Sequence, residues 1–369
     1  MLTTPARRPA RPYFSSGPCA KPPGWSLEQI DARALGRSHR SALGKERLRK
    51  CIDLMRENLQ LPETHRIGIV PASDTGAFEM AMWTMLGARP VTCLAWESFG
   101  EGWVTDAVKQ LRLDPKVIRA DYGALPDLGQ VDWSHDVLFT WNGTTSGVRV
   151  PDGEWIAADR EGLSFADATS AVFAYDIPWD RVDVATFSWQ KVLGGEGGHG
   201  VLILGPRAVD RLEGFAPDRP LPKIFRLTKG GKLIEGIFNG ETINTPSMLA
   251  VEDAIWTLQW SQRMGGLKGL MARTEANAAA LDAIVEQRDW LGYLAQSVEI
   301  RSKTSVCLTV HGADPKAMAK LLEEQAVAFD IAGYRDAPPG LRIWCGATVD
   351  TADIEALGPW LDWAWEQAK

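Results

Sequence analysis

Lys191 and Asp167 are the residues whose types and placement point most directly to chemistry. Lys191 follows a mostly apolar stretch, residues 182–189, and precedes a glycine-rich turn that begins at Gly194. Asp167 ends a second strand-like run, residues 162–166. An amine and a carboxylate that leave the ends of neighbouring strands suit pyridoxal phosphate (PLP) chemistry. The amine forms a Schiff base, and the carboxylate keeps the pyridinium nitrogen protonated.

The turn after Lys191 also fits the dinucleotide pattern G-x-G-x-x-G, over residues 195–200. That pattern has a mechanism only where the glycines follow a strand and open a helix, whose N-terminus meets a pyrophosphate. Here the glycines lead into an apolar run, residues 201–204, that Gly205 and Pro206 end, and this is typical of a strand. A Walker A motif is also missing, since Lys232 is followed by Leu233. The context argues against a nucleotide-dependent oxidoreductase.

Composition predicts a globular protein with a large core. The chain has 369 residues, of which 45% are hydrophobic and 24% charged, and this length favours two domains. A net charge of −7 argues against a nucleic-acid partner, and no apolar run is long enough to cross a membrane. The first residues, 1–12, are rich in arginine and proline without an apolar core, which predicts a flexible arm rather than a secretory signal.

Cysteine and histidine spacing gives no sign of a metal site or of disulfides. The five cysteines are far apart and odd in number, and the five histidines lack ligand spacing. Reduced thiols in a cytoplasmic protein are the simplest interpretation. We therefore expect no bound metal.

Strand-like and helical runs alternate through the first two-thirds of the chain. This pattern predicts an α/β fold, with a mostly parallel sheet covered by helices on both faces. Strands are expected at residues 67–71, 91–94, 117–118, 137–140, 162–166, 182–189 and 201–204. A helical segment, residues 247–288, is interrupted near Gly265 and leads to a smaller C-terminal α/β unit.

Three further segments have functional and structural interpretations. Residues 73–76 lie between a strand and a helix, where backbone N–H groups attract an anion, although an ordinary N-cap by Ser73 or Asp74 is favoured on the segment alone. Residues 142–147 place hydroxyl groups after a strand, where ligands bind in α/β sheets or where a plain turn forms. The cations of residues 38–41 suit carboxylate or phosphate, or simple solvation at the surface.

Together these segments resemble the phosphoserine aminotransferases, which are class V, fold-type I PLP enzymes. The resemblance spans nearly the whole chain and keeps the order of the motifs, which are Ser15–Pro18, Ser38–Ser41, Gln190–Lys191, Asn244–Pro246 and Gly340–Arg342. A histidine often precedes the arginine that is here Arg335, whereas this chain has Tyr334. The phosphate pocket must therefore differ, and Lys223, Arg226 or Lys229 is expected to compensate.

The resemblance implies a division into an N-terminal arm (1–15), a large PLP-binding domain (16–258) and a small C-terminal domain (259–369). It implies a homodimer in which each active site is completed by the partner. Lys191 and Asp167 would be catalytic. The cofactor would be held by Asp74, Thr75, Trp103, Thr144, Asp167, Gln190, Lys191, Asn244 and Thr245, and the substrates by His39, Arg40, Arg335 and Arg342.

The reaction implied by the resemblance moves an amino group from L-glutamate to 3-phosphohydroxypyruvate. Related substrates of pyridoxine biosynthesis, and other class V reactions such as alanine–glyoxylate or serine–glyoxylate transamination, stay open as alternatives. A cysteine desulfurase would need a mobile cysteine in a late loop, whereas Cys307 and Cys345 lie in apolar runs that fit strands better. A binding protein without catalysis would not need Lys191.

Overall fold

The computed structural model describes residues 3–369 and has an α/β fold, as the sequence predicts. The strands are β1 (Arg66–Pro71), β2 (Val91–Ala95), β3 (Lys116–Arg119), β4 (Asp136–Thr140), β5 (Asn142–Gly143), β6 (Val148–Arg149), β7 (Ser164–Asp167), β8 (Val184–Ser188), β9 (His199–Leu204), β10 (Thr228–Lys229), β11 (Lys232–Leu233), β12 (Leu291–Tyr293), β13 (Ser305–Val310) and β14 (Leu341–Trp344).

Within residues 3–369, eight α-helices accompany these strands. They are α1 (Ala42–Asn58), α2 (Ser73–Met85), α3 (Ser98–Thr105), α4 (Pro206–Gly214), α5 (Met248–Arg263), α6 (Gly266–Glu286), α7 (Pro315–Glu324) and α8 (Thr351–Gln367). A π-helical turn, Asp106–Gln110, continues α3. The interruption predicted near Gly265 is confirmed, because Gly265 has a φ of 98° between α5 and α6.

The main sheet has seven strands in the order β1-β9-β8-β7-β4-β2-β3. Only β9 is antiparallel to its neighbours, so the other six strands run in one direction and their carboxyl ends meet at one edge. The prediction that residues 201–204 form a strand is confirmed by β9. Since the glycine-rich turn opens a strand and no helix, it does not match the dinucleotide fingerprint.

The main sheet is buried on both faces, which explains the continuous apolar runs of its strands. Along β4, Val137 and Phe139 face one apolar cluster while Leu138 faces the other. This alternation follows from the two-residue period of a strand. The first cluster is covered by α1 and α5, and the second by α2 and α4.

A three-stranded antiparallel sheet, β12-β13-β14, forms the centre of the C-terminal unit. Helix α8 packs on α6 and α7 beside it. The N-terminal segment packs on the same unit, because Ala10 donates to Asp353 and the Arg7 carbonyl accepts from Trp360. The expectation of a flexible arm is therefore wrong for residues 7–12, while residues 1 and 2 of that arm lie outside the described residues.

Candidate active site

Asp167 and Lys191 line one cavity at the carboxyl edge of the main sheet. Asp167 is the last residue of β7 and pairs with Thr186 of the parallel strand β8. Lys191 follows the end of β8 by three residues, so it lies at the same carboxyl edge of the sheet as Asp167. The cavity is lined by Ser73, Asp74, Thr75, Phe99, Trp103, Thr140, Thr144, Asp167, Thr169, Ser188, Gln190 and Lys191.

The Lys191 amine is held in a poorly hydrated position. Its Nζ donates to the Ser16 carbonyl oxygen at 2.5 Å. Burial lowers the pKa of Lys191, and the positive charge of Arg342 lowers it further, while Cys19 and Asp167 act in the opposite direction. A lowered pKa favours the neutral amine, which is the form that can attack a carbonyl carbon or accept a proton.

The Asp167 carboxylate is oriented by two N–H donors. The Trp103 indole Nε1 donates to Oδ2 at 3.1 Å, and the Thr169 backbone N–H donates to Oδ1 at 3.1 Å. Trp103 itself is buried and packs on Phe78 with 4.5 Å between ring centroids. Sequence reasoning placed Trp103 at the site but missed its hydrogen bond to Asp167.

Glu97 is a buried residue near the site that the sequence did not reveal. Its carboxylate accepts from the Thr145 hydroxyl at 2.6 Å and from the Gly100 backbone N–H at 2.8 Å. These bonds link the turn that contains Thr144 to the N-terminus of α3, and α3 is the helix that contains Trp103. Burial raises the pKa of Glu97, although these hydrogen bonds oppose the rise. Its one signal in the sequence was its position immediately before α3, where it serves as the N-cap.

The N-terminus of α2 opens into the cavity. Ala72 at the cap position has a φ of 68°, and no side chain caps the helix. The N-cap by Ser73 or Asp74 that the segment alone favoured is therefore wrong. Ser73, Asp74 and Thr75 all line the cavity, and the first N–H groups of a helix have no intrahelical acceptors. This arrangement suits an anion, because the helix dipole adds partial positive charge there.

Gln190 and Thr144 complete the polar wall. Gln190 Oε1 is buried and has no hydrogen-bond partner among the described residues, and the same is true of Ser188 Oγ. The Thr144 hydroxyl donates to Ser170 Oγ at 2.9 Å. The sequence did not single out Ser188 or Ser170, since isolated serines carry no recognisable spacing.

Arg342 lies in the C-terminal unit close enough for its charge to act on Lys191, although it is not among the residues that line the cavity. It lies in β14, its guanidinium stands 5.5 Å from the centroid of the Tyr334 ring, and its buried Nε lacks a partner among residues 3–369. Tyr334 in turn packs on Phe99 of the cavity wall, with 6.0 Å between centroids. The charge of Arg342 acts on both Lys191 and Cys19. A partly buried guanidinium with a free donor suits a substrate carboxylate.

The other predicted ligand-binding residues are not among those that line this cavity. Their side chains are exposed or, for His39, half-buried; these residues are His39, Arg40, Asn244, Thr245 and Arg335. Arg335 is 81% exposed and pairs with Asp336 at 3.4 Å. The segment with Asn244 is anchored nearby, because the Ser247 backbone N–H donates to His199 Nε2 at 3.1 Å.

The basic residues expected to compensate for the missing histidine lie elsewhere in the chain's own fold. The 3₁₀ turn Lys223–Phe225 packs against the C-terminal part of α2, where Phe225 contacts Trp83 with 6.0 Å between centroids. The uncapped N-terminus of α2, which suits an anion, is at Ser73, so the turn that begins at Lys223 lies at the opposite end of the helix. Within one chain it does not reach the cavity.

All five cysteines are buried free thiols. Cys307 lies in β13 and Cys345 directly follows β14, and burial raises the pKa of Cys307 to about 12. Neither position resembles the mobile, activated thiol that desulfuration requires. Among residues 3–369 no cluster of histidine, cysteine or acidic side chains has metal-binding geometry, and none of the helices has the length and apolarity of a membrane span.

The residues present fit PLP. The amine and the carboxylate face one cavity, Trp103 provides an aromatic wall, and the uncapped N-terminus of α2 offers N–H groups to a phosphate. The unpartnered polar atoms of Gln190 and Ser188 lie on the same wall. This set of donors matches the groups of PLP better than those of a nucleotide.

The chain is similar to known aminotransferases along its full length. It is 59% identical to a phosphoserine aminotransferase of Methanosarcina barkeri, over 99% of this chain and 100% of that protein. The fold is also that of a phosphoserine aminotransferase from Cytophaga hutchinsonii (TM-score 0.85, 22% identity, 95% of this chain and 98% of that one). An alanine–glyoxylate aminotransferase from Nostoc sp. shares the fold as well (TM-score 0.81, 19% identity, 99% and 97% covered). No family model matches the chain.

Proposed function

The chain belongs to the phosphoserine aminotransferase family of PLP-dependent enzymes, and we propose that it converts L-glutamate and 3-phosphohydroxypyruvate into 2-oxoglutarate and O-phospho-L-serine. Membership of the family, which the sequence motifs indicated, is confirmed by the 59% identity over the full chain. The main structural observation that supports this reaction is that Lys191 and Asp167 line one cavity. The solved structures contribute only the fold, since the glyoxylate enzyme shares that fold as well.

Lys191 would hold the aldehyde carbon of PLP and would later move a proton at the substrate α-carbon. Bound PLP withdraws electrons from that carbon, and this is the chemistry that the cofactor supplies. Burial of Lys191 supports both roles, because the lowered pKa leaves the amine free to accept the proton. The Ser16 carbonyl fixes the direction of the amine.

Asp167 would hold a proton at the pyridine nitrogen. The donors Trp103 and Thr169 fix its carboxylate, so no reorientation is needed during the reaction. The Thr144 hydroxyl would bond the ring hydroxyl, and the indole of Trp103 would pack on the ring. Asp74 and Thr75, through backbone N–H groups, and Gln190 would hold the phosphate of the cofactor.

Arg342 would bind the α-carboxylate that both substrates present. Its buried, unpartnered Nε and its position against Tyr334 support this role, because a carboxylate would accept the hydrogen bonds that the guanidinium can still donate. Binding energy from the substrate phosphate, which is remote from the reacting bonds, would orient the α-carbon.

We propose a homodimer in which the partner completes each site. His39, Arg40 and Arg335 would bind the substrate phosphate, and Asn244 and Thr245, which are exposed and lie outside the chain's own cavity, would meet the cofactor phosphate of the partner. Their exposure supports this assignment. The division into an arm (1–15), a large domain (16–258) and a small domain (259–369) is proposed with it, as is a cytoplasmic location, which five free thiols favour.

A panel of keto acids with glutamate as amino donor tests the reaction. We expect 3-phosphohydroxypyruvate to exceed unphosphorylated hydroxypyruvate in kcat/KM by about 100-fold or more, because the lost contacts include charge-assisted hydrogen bonds. The keto acid that precedes phosphohydroxythreonine, from pyridoxine biosynthesis, belongs in the same panel. Faster amination of glyoxylate would instead indicate an alanine–glyoxylate or serine–glyoxylate aminotransferase.

A further inference from the structure

A second carboxyl group, that of Asp74, lines the same cavity as Asp167. Asp74, in the first turn of α2, is 7% exposed, and Asp167 is 5% exposed. Both carboxyl groups line the same cavity, and the Asp74 side chain faces Asp167 across it.

No cation in residues 3–369 neutralises this pair through a direct ion pair. The salt bridges of the described chain include neither Asp74 nor Asp167. Asp167 accepts two N–H groups, whereas Asp74 Oδ1 is buried without a partner. Two ionised carboxylates in such a site repel each other strongly, and one proton between them removes most of the repulsion.

We propose that Asp74 and Asp167 share one proton, which is held on Asp74 and donated in a hydrogen bond to the Asp167 carboxylate. Asp74 is then a positioning residue that acts through Asp167. The proposal rests on the proposed function in taking Asp167 as the partner of the ring nitrogen. It agrees with the direction in which burial and the neighbouring charge of Asp167 move the pKa of Asp74, which is upward.

A protonated Asp74 has two consequences for the site. The pair carries one negative charge, which is the number needed to balance one pyridinium nitrogen. In addition, a phosphate bound at the N–H groups of Asp74 and Thr75 is not repelled by an ionised carboxylate on the same residue. An ionised Asp74 would disturb the charge balance with the pyridinium nitrogen and would also repel the phosphate.

Other titratable groups face the pair, and their contributions to the pH dependence of stability must be separated from that of the pair. Lys191 lies across the cavity, and Glu97 contributes charge from the residue before α3. His199 opens β9 near the N-terminus of α2, and burial lowers its pKa. These groups are unchanged in a variant at position 74, so a difference between the variant and the wild type cancels their direct contributions.

The test is the thermal unfolding of the cofactor-free protein between pH 5 and pH 9, for the wild type and for Asp74→Asn. Because the pKa of Asp74 is raised on folding, its proton stabilises the native state at low pH, and that stabilisation is lost as pH rises through the raised value. Asparagine keeps a donor and has no proton to lose. The Tm of the variant relative to the wild type should therefore rise with pH, by about 2 °C or more.

Two further variants complete the experiment. Asp53→Asn, at an exposed position of α1, should leave a Tm difference that does not change with pH. Asp167→Asn should reduce the pH dependence in the same direction but by less, because burial alone still raises the pKa of Asp74, and it tests the contribution of Asp167 if the first variant does not fold. A Tm difference that stays flat for both Asp74→Asn and Asp167→Asn overturns the shared proton. Since no substrate is present, this outcome is independent of which keto acid the enzyme accepts.

Discussion

The Ser16 carbonyl oxygen lies 2.5 Å from the Nζ of Lys191, so the N-terminal segment forms part of the active site. The next residue, Gly17, has no side chain, and a Cβ built on it would overlap the Lys191 amine. The motif Ser15–Pro18, which contributed to the family resemblance, thus has a physical reason. A glycine is needed at position 17 because the amine occupies the space of a side chain.

Gly17→Ala should therefore displace the Lys191 amine. We expect kcat/KM for phosphohydroxypyruvate to fall by about tenfold or more, because a small misplacement of a reacting group costs that much. Steady-state kinetics and the visible absorbance of the bound cofactor measure the effect. Gly214→Ala, at the end of α4 with open space around its Cβ position, is the matched control and should behave as the wild type.

Lys191→Ala should abolish the covalent capture of PLP. The purified wild type is expected to be yellow and to keep the cofactor after borohydride treatment, whereas the variant lacks the amine that forms the bond. Lys303→Ala removes an exposed lysine that pairs with Glu275, and it should leave both properties intact. An unchanged absorbance spectrum and unchanged trapping in Lys191→Ala would exclude the PLP assignment.

Arg342→Ala should raise KM for glutamate and for the keto acid together, by about 10- to 100-fold, because both substrates present an α-carboxylate. Arg335→Ala is the informative comparison, since Arg335 is exposed and is proposed to meet the phosphate only. Its effect should be confined to the phosphorylated substrates. If Arg342→Ala changed KM for only one of the two substrates, the carboxylate assignment would be wrong.

Glu97→Ala should lower the free energy of unfolding by about 2–3 kcal/mol, because it removes the acceptor of three buried hydrogen bonds. Glu97→Gln, which keeps one acceptor oxygen, should cost less. Denaturant titration at constant pH gives both values. Glu101→Ala serves as the control, since its pair with Arg119 is exposed and such pairs contribute little.

The sequence predicted those parts of the site that depend on local pattern. Lys191 and Asp167 were found because apolar runs predict strands, and side chains at the carboxyl ends of parallel strands collect at one edge. Thr75 and Thr144, which also follow predicted strands, line the same cavity, and their roles toward the cofactor stay predictions. The identity of the cofactor followed from the pair of functional groups and from the motifs.

The parts that were missed depend on long-range packing or on unusual backbone. The left-handed conformations of Ala72 and Ser73 start α2 four residues earlier than predicted and turn Asp74 inward, and no glycine marks them in the sequence. Glu97 reaches Thr145 across 48 positions of the chain, which no local pattern shows. The packing of residues 7–14 on the small unit likewise depends on partners more than 300 positions away.

Mixing two inactive variants tests the composite active site. Lys191→Ala has no reactive amine, and the double variant Asn244→Ala, Thr245→Ala lacks the proposed contacts to the cofactor phosphate of its partner. In a mixed dimer, one site combines an intact Lys191 from one chain with an intact Asn244 and Thr245 from the other. After random reassociation, about half of the dimers are mixed and each has one intact site, so about a quarter of the wild-type activity should return. If instead each chain uses its own Asn244 and Thr245, no mixed dimer contains an intact site and activity stays absent.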